Sequence, residues 1–101
     1  MKALYSIVGT KFRDGAAEHL KTLKRGAPLR LVREPDNIYD KKAVAIYSGE
    51  TCIGYLPAKQ NGGIALAMDS NPSFRDSLGS SNSARLVFSP NSGFPQVEVD
   101  E

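Results

Sequence analysis

Apolar and polar residues alternate over positions 2–8, with Leu4, Ser6 and Val8 on one side and Ala3, Tyr5 and Ile7 on the other. A period of two containing Tyr, Ile and Val predicts a half-buried strand. Gly9 and Thr10 end it. The period then becomes helical over 14–25, where Ala16, Ala17, Leu20 and Leu23 form an apolar stripe. Asp14 can accept from the free amides of the first turn, and Gly26 is a natural stop. Lys21, Lys24 and Arg25 fall where the helix dipole favours cations, and His19 lies off the stripe.

Pro28 opens a second strand, 29–33, and the turn formers Pro35, Asp36 and Asn37 make 34–40 a loop. Segments 43–48 and 51–56 read as strands joined by a two-residue turn at Gly49 and Glu50. Gly54 inside the second marks a bulge or a close backbone approach. Pro57 stops that strand and can open a helix over 58–69, weakened by Gly62 and Gly63. The run 64–68 is apolar all round and predicts burial. Asn71, Pro72, Gly79 and several serines make 70–83 loop-like, with a short strand near Phe74. Strands at 84–89 and 96–99 flank a turn at 90–95. The sum is five to seven short strands with two helices. That is an α+β chain, mainly β, built on a small partly open barrel.

At 101 residues the chain holds one domain, 1–101, and one modest core. Hydrophobic residues at 41% and charged residues at 24% are ordinary globular usage. No apolar run approaches a membrane span, so no membrane partner is expected. Residues 1–15 have no long apolar stretch and no small-residue cleavage site, so no secretory leader is expected. The lone Cys52 fits a reducing, cytoplasmic setting. A net charge of +2 is too weak to announce a polyanion partner, but its distribution is uneven. Residues 11–42 carry nine bases against five acids, and residues 60–101 carry two against five. A basic face for a phosphate backbone fits this asymmetry, and so does a solvated surface.

Catalytic chemistry finds little support. His19 is the only histidine and has no nucleophile motif beside it. One cysteine and one histidine cannot make a zinc site. Asp36 and Asp40 lack the spacing of a calcium loop, and no glycine-rich phosphate loop occurs, so no metal or cofactor is expected. Binding remains. Lys11-Phe12-Arg13 and Tyr39-Asp40-Lys41-Lys42 mix aromatic and basic residues at loop positions. Exposed rings there can stack on unpaired bases while the cations neutralise phosphates. The alternative is that Phe12 and Tyr39 fold back as core lids.

Three stretches carry a family resemblance: Ile7 to Gly15; Arg33-Glu34-Pro35-Asp36-Asn37-Ile38-Tyr39-Asp40 running into Ala43-Val44-Ala45; and Ile53-Gly54-Tyr55-Leu56-Pro57. In order and spacing they resemble the HIRAN domain, most strongly over residues 4–70. The resemblance implies an OB/SH3-like β-barrel with two helices. It also implies a module that binds single-stranded DNA and holds a free 3′-hydroxyl end. Such domains occur at the front of DNA-remodelling helicases and as small bacterial or phage proteins. A bacterial or phage-infected cytoplasm is the setting this implies.

Carried over by position, Lys11 meets a phosphate and Phe12 stacks on a base, with Arg13 beside them. Tyr39 stacks on the terminal nucleotide and Asp40 accepts from its 3′-hydroxyl. Asn37 shapes the turn. Tyr55 faces the DNA and Lys59 reaches a phosphate, although Lys59 is offset by one from the basic position of some relatives. Phe12 replaces a tyrosine of some relatives, and residues 77–84 lack an aromatic that others use to support a duplex junction. The expected function is capture of single-stranded DNA ends in repair or replication-fork processing, alongside a helicase or another repair protein. Two rivals are a protein-interaction module, using a sheet edge or the 64–68 region, and an enzyme acting on nucleic-acid ends.

Overall fold

In the computed structural model, which describes residues 2–80, 83–90 and 93–100, the described residues form six strands. They are β1 (Lys2–Ser6), β2 (Pro28–Arg33), β3 (Val44–Ser48), β4 (Thr51–Tyr55), β5 (Ala84–Phe88) and β6 (Pro95–Asp100). Every pairing is antiparallel, in the order β1-β6-β5-β2-β3-β4. β1 and β4 are therefore the edges. The sheet curls until they meet: the Val8 amide donates to the Tyr55 carbonyl at 3.0 Å, and the Tyr55 amide donates to the Val8 carbonyl at 2.8 Å. The product is a mainly β, half-barrel sheet of OB-like character.

The concave face is apolar because alternate strand positions are. Leu29, Leu31, Val44, Ile46, Ile53, Leu86, Val97 and Val99 are buried there, joined by Leu56, Met68 and Leu78. On β1, Tyr5 packs against this core and Leu4 faces solvent, as the alternation predicts. The β3–β4 hairpin turns at Gly49 and Glu50, and its register slips between Ile46↔Gly54 and Tyr47↔Cys52. Gly54 is at that bulge, with φ 154°. A Cβ there would lie 2.7 Å from Ile7 Cγ2 and 2.8 Å from the Val8 carbonyl oxygen. The missing side chain lets the chain after β1 reach β4.

Helices differ more from expectation. α1 spans Ala16–Thr22 rather than 14–25, begins at the left-handed Gly15, and has no side-chain cap from Asp14. It stops at Leu23, whose backbone is extended, so Gly26 serves the turn into β2 instead. Ala16 is buried but Ala17 is exposed, which narrows the stripe. β1 ends at Ser6, leaving Val8 as an isolated bridge. α2 spans Gly62–Ser70, and Pro57 opens a turn rather than the helix. Within the apolar run, Ile64, Ala65 and Met68 are buried while Leu66 is 68% exposed.

The stretch read as a loop with a strand near Phe74 contains a third helix, α3 (Pro72–Leu78). Asn71 caps it by accepting from the Phe74 amide at 3.2 Å, and Pro72 occupies the first helical position. Leu78 is the residue it buries. Part of the same stretch, residues 81–82, lies outside the described residues, as do 91–92 of the turn at 90–95; Pro95 belongs to β6.

Gly54→Ala is expected to lose about 2–3 kcal/mol of stability in urea unfolding, since a methyl group there overpacks against backbone as well as side chain. An unchanged midpoint would mean that the approach of Val8 to Tyr55 does not require a bare backbone.

Candidate nucleic-acid interface

Closure of the sheet places the first basic–aromatic segment. Gly9, at φ 72°, turns the chain into a 3₁₀ turn, Thr10–Phe12, whose Phe12 amide donates to the Gly9 carbonyl at 3.0 Å. Thr10 Oγ1 donates to the Ile53 carbonyl at 2.8 Å and fastens the turn to β4. Phe12 is left 77% exposed, with Lys11 Nζ 5.3 Å from its ring centroid. Arg13 lies over the Tyr55 ring at 5.5 Å. An open groove of about 510 Å³ runs from Phe12 and Arg13 to Tyr47 and Glu50 of the hairpin.

The loop 34–42 carries the second segment, and its ends are held by Arg33. That guanidinium donates to the Ala43 carbonyl at 2.7 Å, to the Lys41 carbonyl at 3.1 Å and to both oxygens of Asp69 at 2.9 and 3.0 Å. The bond from Arg33 holds the Asp69 carboxyl below its ordinary range. Inside the loop, Asn37 Oδ1 accepts from the Tyr39 amide at 2.9 Å and the Asp40 amide at 3.1 Å. This Asx-type turn pushes Tyr39 outward to 91% exposure, beside an exposed Ile38. Neither Phe12 nor Tyr39 is a core lid.

Asp40 is held through both carboxylate oxygens. Its Oδ1 accepts from the Lys42 amide at 2.9 Å and its Oδ2 from Asn61 Nδ2 at 2.8 Å. Asn61, just before α2, is only 1% exposed, and its Oδ1 has no hydrogen-bond partner. Lys59 is exposed in the turn that Gln60 closes by donating to the Pro57 carbonyl at 2.9 Å. The Asp40–Asn61 bond brings that turn toward the loop.

Glu34 connects the two segments. Its carboxylate accepts from Arg13 Nη2 at 2.9 Å, from the Tyr55 hydroxyl at 3.0 Å and from Asn37 Nδ2 at 3.2 Å. Arg13 also donates to the Tyr55 hydroxyl through Nε and Nη2. Arg13 and Tyr55 are thus together on one carboxylate, Lys11 and Phe12 sit beside them, and Tyr39 and Asp40 are reached through Asn37. Hydrogen bonding to Tyr55 pushes the Arg13 pKa up, and burial pushes the Tyr55 phenol up. Burial likewise raises the Cys52 thiol, which is free, buried and a poor nucleophile. His19 Nε2 pairs with Ser48 Oγ at 3.1 Å. Sequence reading carried Glu34 only as part of the family motif, with no role, and did not single out Asn61, because nothing in a lone charged or amide residue announces a partner about 20 positions away. The Glu34 carboxylate lies between the aromatic–basic segments, and that adjacency was the available signal.

A small curled sheet thus presents two exposed rings on a hydrogen-bonded polar frame. The HIRAN domain family model matches residues 3–95. The chain belongs to the HIRAN domain family, whose domains are DNA-binding modules rather than catalytic ones. Among solved structures, a protein from Lactobacillus plantarum matches with a TM-score of 0.70 at 22% identity, over 97% of this chain and 94% of that one. The HIRAN domain of human HLTF matches with a TM-score of 0.65 at 20% identity, over 96% of this chain and 71% of that one. At these identities the two structures speak to the fold. No curated protein sequence matches significantly. Among the described residues no helix is long and apolar enough to cross a membrane, and no cluster of His, Cys, Asp or Glu could hold a metal ion.

Phenolate absorbance is expected to show a tyrosine ionising above the ordinary value of about 10, and that component disappears in Tyr55→Phe. With the folded pKa above the unfolded one, this group's stabilisation is complete below about pH 10 and is lost as pH rises through the folded value. Relative to Tyr55→Phe, the wild-type urea midpoint therefore falls as pH rises past about 10; a constant difference contradicts the burial of this phenol.

Proposed function

We propose that this chain binds single-stranded DNA and captures free 3′-hydroxyl ends, in repair or replication-fork processing and alongside a helicase or another repair protein. The observation that carries the reading is the pair of exposed rings, Phe12 and Tyr39, on one polar frame in a member of a DNA-binding family. Tyr39 stacks on the terminal base and Phe12 on another, each stack contributing about 1–3 kcal/mol. Lys11 and Lys59 neutralise phosphates. Arg13 has donors left on Nη1 for the same purpose, and Tyr55 carries the Arg13 guanidinium over its ring.

Asp40 accepts from the 3′-hydroxyl. Each of its oxygens has one protein donor, and a carboxylate offers about four acceptor sites in all, so capacity remains. The same negative charge repels a 3′-phosphate. Phosphate neutralisation makes affinity fall with salt, and a module with few contacts belongs near the micromolar range of about 10⁻⁴–10⁻⁶ M. A protein partner docking on the 64–68 run has less to work with, because Leu66 is the large apolar residue that run leaves exposed.

Fluorescence anisotropy with a labelled oligo-dT ending in a 3′-hydroxyl or a 3′-phosphate tests this reading. The hydroxyl end is expected to bind more tightly, and Tyr39→Ala/Asp40→Ala to abolish the preference with at least about a fivefold loss, in line with one lost stack of roughly 1–3 kcal/mol. Equal binding to both ends would leave only a general basic groove. No binding by the folded protein would remove the DNA reading and favour a protein partner.

A further inference from the structure

Glu34 is a negative charge placed among groups proposed to meet phosphates. Electrostatics alone makes it a liability there, since a carboxylate beside a DNA backbone weakens binding. Its geometry supplies a reason for its presence. Three donors converge on it from three parts of the chain: Arg13 after the 3₁₀ turn, Tyr55 at the end of β4, and Asn37 in the loop. Its own main chain is fixed as well, the amide donating to the Ala43 carbonyl at 3.0 Å and the carbonyl accepting from the Asn37 amide at 3.1 Å.

From Asn37 the connection continues. Asn37 Oδ1 accepts from the amides of Tyr39 and Asp40, and Asp40 holds Asn61. One chain of hydrogen bonds therefore runs from Arg13, next to Phe12, through Glu34 to Tyr39 and Asp40. We propose that Glu34 is a positioning residue that couples the two halves of the DNA-binding face, so that Phe12 and Tyr39 act on a strand as one platform. The inference rests on the DNA-end reading for its consequence, though the coupling itself belongs to the free protein.

A carboxylate suits the task because it is acceptor-only and can take all three donors at once. Glutamine has the same shape, but its amide nitrogen must face one of those donors. Glu34→Gln therefore separates charge from positioning, because the two effects have opposite signs. A bystander charge predicts tighter DNA binding when it is removed. Coupling predicts weaker binding, by about tenfold, within the range of energies that link residues in one hydrogen-bond network.

The test measures oligo-dT affinity for the wild type, Phe12→Ala, Tyr39→Ala and the double variant, each also carrying Glu34→Gln. In the wild-type background the double variant is expected to lose several-fold less than the product of the single losses. In the Glu34→Gln background the losses multiply. Tighter binding by Glu34→Gln, or the same cycle in both backgrounds, overturns the proposal. A second measurement needs no DNA: amide hydrogen exchange at Tyr39 and Asp40. Arg13 bonds neither residue directly, yet Arg13→Ala is expected to speed their exchange severalfold while β5 and β6 amides stay protected. Unchanged exchange at Tyr39 and Asp40 overturns the coupling. If exchange responds but the wild type binds no DNA, the coupling stands and the DNA-end reading falls.

Discussion

The two main-chain hydrogen bonds between Val8 and Tyr55 join the edges of the sheet, and the candidate interface depends on them. Without that closure, the segment after β1 has no fixed relation to β4 or to the loop 34–42. With it, Gly9 turns beneath the Tyr55 ring, Thr10 ties down to Ile53, and Phe12 and Arg13 emerge beside Glu34. The approach requires bare backbone at Gly54, where a side chain would overlap Ile7 and Val8. One glycine and one bridge thus bring together residues more than 40 positions apart.

The second half of the face, the loop that joins the paired strands β2 and β3, is braced by charge as well as by sheet pairing. Arg33 clips both ends of the loop 34–42 to α2 through Lys41, Ala43 and Asp69. Its side chain is only 9% exposed, so this ion pair is better insulated from solvent than an ordinary surface pair on the arginine side. Glu34 in turn sits in a mixed environment, where Arg13 offsets its charge and Tyr55 and Asn37 use its remaining acceptor capacity. Within the loop, Asn37 and Asp40 are held by hydrogen bonds on either side of the exposed Tyr39. A loop already held by hydrogen bonds needs less ordering when its exposed ring meets a ligand.

The strands were legible because their periodicity is written locally: β1 through β4 fall within two residues of where alternation puts them, and the Gly49–Glu50 turn where turn chemistry does. Gly54 was legible for the same reason, as a glycine interrupting an apolar strand. α3 was not, because Asn71 and Pro72 are ambiguous. They form turns in a loop, but they also cap and open a helix, and only the burial of Leu78 distinguishes the two. α1 came out shorter because Gly15 and the extended Leu23 override the stripe's apparent length. At the candidate interface, the mixing of aromatic and basic residues pointed to Lys11-Phe12-Arg13 and Tyr39-Asp40, and the family resemblance brought in Tyr55 and Lys59. The hydrogen-bond hub at Glu34 and the buried Asn61 depend on contacts across the fold, which no local pattern encodes.

The account's central claim is that sheet closure and the loop build one face, not two separate patches. Titration of the ¹⁵N-labelled protein with oligo-dT, followed by amide chemical shifts, tests it most directly. Amides around the 3₁₀ turn, the loop 34–42 and the turn before α2 are predicted to shift together along one binding curve. Shifts confined to a single segment, or gathered on α3 and the β5–β6 end, would contradict it.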